Sequence, residues 1–230
     1  MVEIPKTLFQ IWIGDRSAPL EWMATWKKTH PDWEYKLIDN SVISQRRFRN
    51  QNLINEYIKR REFPGAADLI RYELLHEFGG FMPGADTISL CSTNKLWTRP
   101  TAYTVYENEI VRPGLVSPIL ASNPNNAFLQ TIIDTLHEIS PNKIDKAWRT
   151  TGNQFVAKML SEHHNDVVIF PSHYFIPKHF SGQTYFGNDT IYAEQCFGET
   201  VNAYAKLSLR NKLYRLIGRA RSAYFRKIRG

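Results

Sequence analysis

Two aspartates and a guanidinium fall in one short stretch, AADLIRYELLHEFGGFMPGADTISL, from Ala66 to Leu90: Asp68, Arg71 and Asp86. Carboxylate oxygens near a fixed cation can hold sugar hydroxyls, a phosphate group or a hard metal ion. The spacing predicts a helix over Ala66 to Phe78, stopped by Gly79-Gly80, then a turn and a strand over Thr87 to Leu90. Ala67, Ile70, Leu74 and Phe78 give that helix its core stripe. Asp68 and Arg71 sit three apart on the stripe's margin, and Asp68 falls in the first turn, where the helix dipole favours an acid. Spacing alone favours an exposed ion pair, worth about 0.2–0.5 kcal/mol.

Other chemistries have no foothold. The chain has no GxGxxG, no GxxxxGK[ST] and no GxSxG, the glycine and serine patterns of dinucleotide, P-loop and esterase sites. Cys91 and Cys196 are too few for a disulfide framework or a metal site and read as two buried thiols. His163 and His164 are adjacent, so they would diverge on a helix and read as surface residues, not a metal pair.

The elements that would position Asp68, Arg71 and Asp86 follow from periodicity. With 230 residues and 43% hydrophobic content the chain can bury one sizeable core. Lys6 to Ile13 reads as a buried strand turned at Gly14, and Pro19 to His30 as a helix carrying Trp22 and Trp26 on one face. Trp33 to Asp39 alternates like a second strand. Two strands joined by a helical connection predict an α/β sheet. Gln51 to Arg61 is the next helix, and Phe63-Pro64-Gly65 interrupts before the one carrying Asp68. Strands follow at Ala102 to Tyr106, Leu115 to Ala121 and Val167 to Phe170, with Pro118 marking an edge or irregularity. Asn123-Pro124 is expected to open a helix as N-cap and first residue, and Thr150 to Asn153 to precede another over Gln154 to Leu160. A loop rich in aromatics and histidine spans Ser172 to Asn188.

The net charge of +7 is a property of one end. Nine basic and no acidic residues lie between Val201 and Gly230, leaving 20 basic against 22 acidic before them, a net of −2. Leu209, Leu213, Leu216, Ile217, Ala220, Tyr224 and Ile228 recur every three or four residues, so 205–230 reads as a basic amphipathic helix. Such a helix can lie on an anionic membrane, dock on its own domain or touch nucleic acid. Nucleic acid is the weakest of the three, since the body of the chain is not basic. No run approaches the roughly 18 apolar residues of a spanning helix, and Glu3, Pro5 and Lys6 break the apolar core a secretory signal would need.

At these residues the chain resembles a family, the glycosyltransferases with a DxD sugar-binding motif. The group includes initiating mannosyltransferases of the yeast type, bacterial capsule and lipopolysaccharide transferases and, more distantly, the glucosylating domains of clostridial toxins. Its opening strand, IPKxxHQIWxG, is matched by IPKTLFQIWIG from Ile4 to Gly14. Its small-residue-Asp-xx-Arg-Tyr helix and glycine pair are matched by AADLIRYELLHEFGG. A TGP-like turn is echoed by Thr151-Gly152-Asn153. The likeness runs over about residues 4 to 200.

That resemblance implies a GT-A-like, Rossmann-like α/β domain over 1–204, with a central mixed sheet flanked by helices, and the basic helix of 205–230 as a tail. It implies a hexosyltransferase of retaining type, taking a UDP- or GDP-sugar as donor and a glycan or lipid-linked acceptor, in surface polysaccharide or glycoconjugate synthesis at the cytoplasmic membrane face. Trp12 would stack on the nucleotide base, Asp68 would accept from sugar hydroxyls, and Arg71 would bind a hydroxyl or the diphosphate. Asp86 matches the last Asp of DxD and implies a divalent cation, Mn2+ or Mg2+. Two departures weaken that implication. GG-x-Tyr-x-Asp-x-Asp is GGFMPGAD here, with Met82 for tyrosine, Gly84 for the first Asp and Ala85 as spacer. In Ala193 to Phe197, Gln195 replaces the histidine of Ala-x-His-x-Trp. A silent relative that binds nucleotide-sugar or glycan without turnover is the alternative.

Overall fold

Strand β1 (Thr7–Ile11) has β2 (Glu34–Ile38) on one side and β3 (Gly80–Phe81) on the other, both parallel to it. All three therefore deliver their carboxyl ends to one edge, the position at which α/β sheets bind ligands. The structure, a computed structural model, describes residues 3–163, 166–198 and 204. Helix α1 (Leu20–Thr29) makes the crossover from β1 to β2, with Trp26 fully buried. Beyond β3 the sheet changes sense. Strand β7 (Ala121–Ser122) is antiparallel to β3, and β5 (Ala102–Asn108) is antiparallel to β7. Strand β6 (Arg112–Val116) pairs antiparallel with β5, and β8 (Val167–Phe170) pairs parallel with it. The result is a seven-stranded mixed sheet in the order β2-β1-β3-β7-β5-β6, with β8 joined to β5. The strand expected at Thr87 to Leu90 exists as β4 (Thr87–Ser89). It leaves this sheet to pair with β9 (Ala193–Gln195) in a separate two-stranded ribbon.

Helices α2 (Asn40–Ser44), α3 (Gln51–Lys59), α4 (Phe63–Phe78), α5 (Ala127–His137), α6 (Ala147–Thr150) and α7 (Asn153–Glu162) complete the framework. The core joins α4 to β1, α3, α5 and α7 through Phe9, Ile54, Leu69, Ile70, Leu75, Leu129, Ile132 and Val156. Helix α4 buries Leu69, Ile70, Leu74 and Leu75, each worth about 1.5–3 kcal/mol on removal from water. That exceeds any surface pairing along it, so packing fixes how the helix is turned.

Several boundaries differ from the sequence expectation. Helix α4 begins at Phe63, not Ala66, with Pro64 in its first turn, where a missing N–H costs nothing. Gly65 lies hard against the Tyr57 ring, leaving no room for a Cβ. Asp68 is therefore in the second turn, and the dipole argument for it lapses. The stripe also rotates: Tyr72 and Leu75 are buried while Phe78 is 43% exposed. The single strand expected over Leu115 to Ala121 is two strands, β6 and β7. Around Pro118, Ser117 N–H and Leu120 N–H donate to the Val105 and Tyr103 carbonyls. Asn126, not Asn123, caps α5, its side chain accepting from the N–H groups of Phe128 and Leu129 at 3.0 and 3.3 Å. Thr150 closes α6, and α7 starts at Asn153. Both cysteines are free thiols, half-buried and not fully buried as expected.

The Gly79-Gly80 stop is present, with φ of +65° and +107°. A Cβ on Gly80 would come within 2.6 Å of the Thr7 carbonyl oxygen, because β3 enters the sheet here beside β1. Gly80→Ala combines that clash with a backbone most side chains avoid, a cost of about 2 kcal/mol. Urea unfolding of the variant should show the loss; an unchanged midpoint would refute the account.

The chain divides after Gln195 into a unit up to that residue and a second from Cys196 onward. In the second, the Tyr204 N–H donates to the Gly198 carbonyl at 3.4 Å. The helix expected over 205–230, and His164, lie outside the described residues. Among the described residues no helix is long and apolar enough to cross a membrane.

Candidate functional site

The turn that carries Asp86 is built from buried polar contacts. Gln10, a fully buried side chain of β1, accepts from the Tyr35 hydroxyl at 3.0 Å and extends its amide to the Gly84 carbonyl at 3.5 Å. The same carbonyl accepts from Thr87 N–H at 3.2 Å and Thr87 Oγ1 at 2.6 Å, closing a tight turn over 84–87. Trp26 supports the turn from α1, its indole N–H shared between Thr87 Oγ1 and the Thr87 carbonyl. Paired carbonyls and hydroxyls leave this turn little freedom.

Asp68 and Arg71 project from α4 toward this edge and do not pair with each other at the surface. Arg71 Nη1 donates to the Met82 carbonyl, just past β3, and to the Ile119 carbonyl at 3.3 Å. Its Nε is buried without a hydrogen-bond partner. Burial lowers the guanidinium's affinity for its proton, and the negative charges of Asp68, Tyr72 when ionised, and Asp86 oppose that loss. Arg71 is thus the common electrostatic neighbour of both carboxylates. Asp68 Oδ2 accepts from Thr151 Oγ1 at 3.0 Å. Asp68 keeps some surface in contact with solvent, yet the surrounding protein pushes its carboxyl up to about 7 against the pull of Arg71 and the Thr151 hydroxyl. One helical turn on, the Tyr72 hydroxyl donates to the Thr151 carbonyl at 2.5 Å. Asp68 and Tyr72, four apart on one face, grip both polar ends of Thr151. Gly152 follows, and a Cβ there would sit 3.2 Å from Asp68 Oδ2 and 3.0 Å from the Trp148 Cα.

Asp86 stands at the end of the turn. Its Oδ2 accepts from Gln195 Nε2 at 3.2 Å, and Gln195 is held opposite Thr87 by the β4–β9 ladder. Trp12 follows β1 directly, with its indole N–H donating to the Arg16 carbonyl at 2.8 Å. Gly14, in the same loop, contacts the ring of Phe63 at the start of α4 and exchanges two hydrogen bonds with the Asn40 side chain. The loops bearing Trp12 and Asp86 thus leave adjacent parallel strands at the same end.

Sequence reading passed over a buried carboxylate. Glu107 in β5 is 5% exposed and fully engaged: Oε2 accepts from Asn153 Nδ2 at 2.8 Å, and Oε1 meets Arg112 Nη1 and His179 Nε2, each at 3.2 Å. His179 Nδ1 lies 3.2 Å from the Ser181 N–H, which makes it the acceptor and leaves the ring proton on Nε2, facing Glu107. The Arg112 guanidinium lies between the half-exposed rings of Trp148 and Phe180. Asn153 joins this group to Thr151 and Gly152, and so to Asp68. The one available signal was a glutamate as the single charged residue of the strand AYTVYEN.

Chemically, the edge offers an aromatic face, a carboxyl that titrates near neutrality, a buried cation and a carboxylate in a rigid turn. Among the described residues no three His, Cys, Asp or Glu side chains converge as a metal cage. The model of the glycosyltransferase sugar-binding region containing a DXD motif matches residues 20–102, a span that holds Asp68, Arg71 and Asp86. Comparison with curated proteins finds no match. Among solved structures the chain is similar to PaToxG Glycosyltransferase, at 16% identity and a TM-score of 0.57, over 70% of each chain. The likeness in architecture, with its mixed sheet between helices, gives the chain a GT-A-like fold.

Proposed function

We propose that the chain transfers a sugar from a UDP- or GDP-linked donor to a glycan or lipid-linked acceptor, in surface polysaccharide or glycoconjugate synthesis. The observation that carries this is the convergence of Asp68, Arg71 and Asp86 around the exit of β3, beside the Trp12 loop at the exit of β1. In this reading Trp12 stacks on the base, and Asp68, steadied by Thr151, meets hydroxyls of the donor sugar. Arg71 contributes fixed positive potential where charge grows on the departing diphosphate, and such preorganised charge favours the transition state. The product keeps the donor's anomeric configuration. The domain runs over 1–204, and the basic segment 205–230 holds the protein to the cytoplasmic membrane face.

The second reading is a relative that binds donor without turnover. Gly84, in place of a second acid, and the engagement of Asp86 by Gln195 favour it. Incubation with a panel of UDP- and GDP-sugars, with and without candidate acceptors, separates the two. Donor consumption with a transferred sugar supports the first, and saturable binding with no consumption supports the second. Proton NMR of the new linkage checks retention. Trp12→Ala should weaken nucleotide binding about 10-fold, the loss of one aromatic–base stack; equal affinities by calorimetry would remove Trp12 from the site. Deleting 205–230 should abolish cosedimentation with anionic liposomes, and unchanged cosedimentation would refute the membrane role.

A further inference from the structure

A second acid at position 84 and a histidine at position 195 would meet Asp86 at one point, although 109 residues separate Asp86 from Gln195. A Cβ built on Gly84 falls 2.9 Å from Asp86 Oδ1 and 3.9 Å from Gln195 Oε1. The three positions are one locus, and its donor set is poor for a hard cation. Such ions prefer about six oxygens, several of them anionic. Among the described residues the locus has one carboxylate, an amide oxygen and a glycine. The carboxylate is already faced by a cation and a donor: Arg71 feels its charge, and Gln195 Nε2 donates to Oδ2. A dication would lose one of those contacts and stand near a buried guanidinium.

The amide has a definite orientation. A carboxylate only accepts, so the Gln195 atom facing Asp86 is the nitrogen. Oε1 therefore turns the other way, and it is buried with no hydrogen-bond partner. An unpartnered carbonyl beside Gly84 and Asp86 fits a ligand that brings a donor, such as a hydroxyl.

We infer that Asp86 and Gln195 form a carboxylate–amide clamp in place of a metal site, taking the donor without a divalent cation and offering Gln195 Oε1 to a hydroxyl of the nucleotide-sugar. This rests on the nucleotide-sugar reading for the identity of the ligand; the absence of metal uptake stands apart from it. Two measurements test it on the full chain. Free Mn2+ is followed by electron paramagnetic resonance as protein is added, for the natural chain and for Gly84→Asp/Gln195→His. The natural chain should take up no more Mn2+ than Asp86→Asn, and the double variant at least 10-fold more. Gly84 does not have a positive φ, and a side chain there need displace only the carboxylate end of Asp86, 2.9 Å from the Cβ position; Gly84→Asp and Gln195→Glu serve singly if the double variant does not fold. UDP-glucose and GDP-mannose binding is then titrated with Mn2+ and with EDTA, and should differ less than twofold in the natural chain. Gln195→Leu should weaken the better-bound of these about 10-fold in EDTA. Mn2+ uptake by the natural chain equal to that of the double variant, no gain in the folded variants, or a 10-fold loss of nucleotide-sugar binding in EDTA overturns the clamp. If neither probe binds under any condition, the nucleotide-sugar reading and the hydroxyl contact fail, and the Mn2+ titration still decides whether a metal site is absent.

Discussion

Asp68→Asn should flatten the pH dependence of stability between about pH 4 and pH 7. The Asp68 carboxyl is pushed from 3.8 up to about 7 by burial, with Arg71 and the Thr151 hydroxyl pulling the other way. Between those values the folded chain holds a proton that the unfolded chain has released. Its contribution to stability is therefore complete below about 3.8 and is lost as pH rises through about 7. Each pH unit of difference corresponds to about 1.4 kcal/mol, which bounds the effect at about 4 kcal/mol. The part of Asp68 open to water reduces it. Asparagine keeps an acceptor for Thr151 and cannot titrate. Urea midpoints across this range should fall more steeply for the natural chain than for the variant; parallel curves would sink the assignment. Nucleotide-sugar binding should carry the same inflection near neutrality and lose it in Asp68→Asn, because the carboxyl both donates and accepts only while protonated.

Arg71→Ala should destabilise the fold by about 3 kcal/mol. The guanidinium is the donor for the Met82 and Ile119 carbonyls, and removing it leaves two acceptors short of a partner inside the protein. A hydrogen bond to a charged group is worth about 1.5–3 kcal/mol. Asp68 and Asp86 also lose a cation that both feel, so the Asp68 carboxyl should shift further upward. Arg71→Lys restores the charge but not the forked donors, and should recover less than half of the loss. Denaturant unfolding of both variants checks this. A loss below 1 kcal/mol in Arg71→Ala would mean that the cation serves only ligands.

These effects were not visible at the level of spacing. Asp68 and Arg71 could be found as a pair from i and i+3, and the same spacing pointed first to an ion pair in water. Which one holds depends on Thr151, Met82 and Ile119, residues brought near only when α6–α7, β3 and the loop after β6 assemble around α4. The parallel start was legible because Lys6 to Ile13 and Trp33 to Asp39 carry a strand's composition, and the helix between them has Trp26 on its inner face. Leu115 to Ala121 misled because apolar residues flank the Ser117-Pro118 break, and Val116 before it and Ile119 and Ala121 after it are all buried. The start of α4 misled for the opposite reason. Phe63-Pro64-Gly65 reads as a break in isolation, yet Pro64 suits a helix's first turn and Gly65 lets the Tyr57 ring lie against it. Glu107 was passed over because its partners, Asn153, Arg112 and His179, come from three separate segments.

Gln10 has a consequence for assembly. Side chains of a strand alternate between faces, so a slip of one residue exchanges them all. Gln10 stands opposite Leu37 in the β1–β2 pairing and reaches both the Tyr35 hydroxyl and the Gly84 carbonyl. Slipping β1 by one place would put Phe9 or Ile11 where the amide belongs, leaving the carbonyl of the 84–87 turn without that contact. The amide thus ties the turn bearing Asp86 to the register of β1: with Gln10 displaced, the turn keeps its own Thr87 bonds to the Gly84 carbonyl and loses its tie to the sheet.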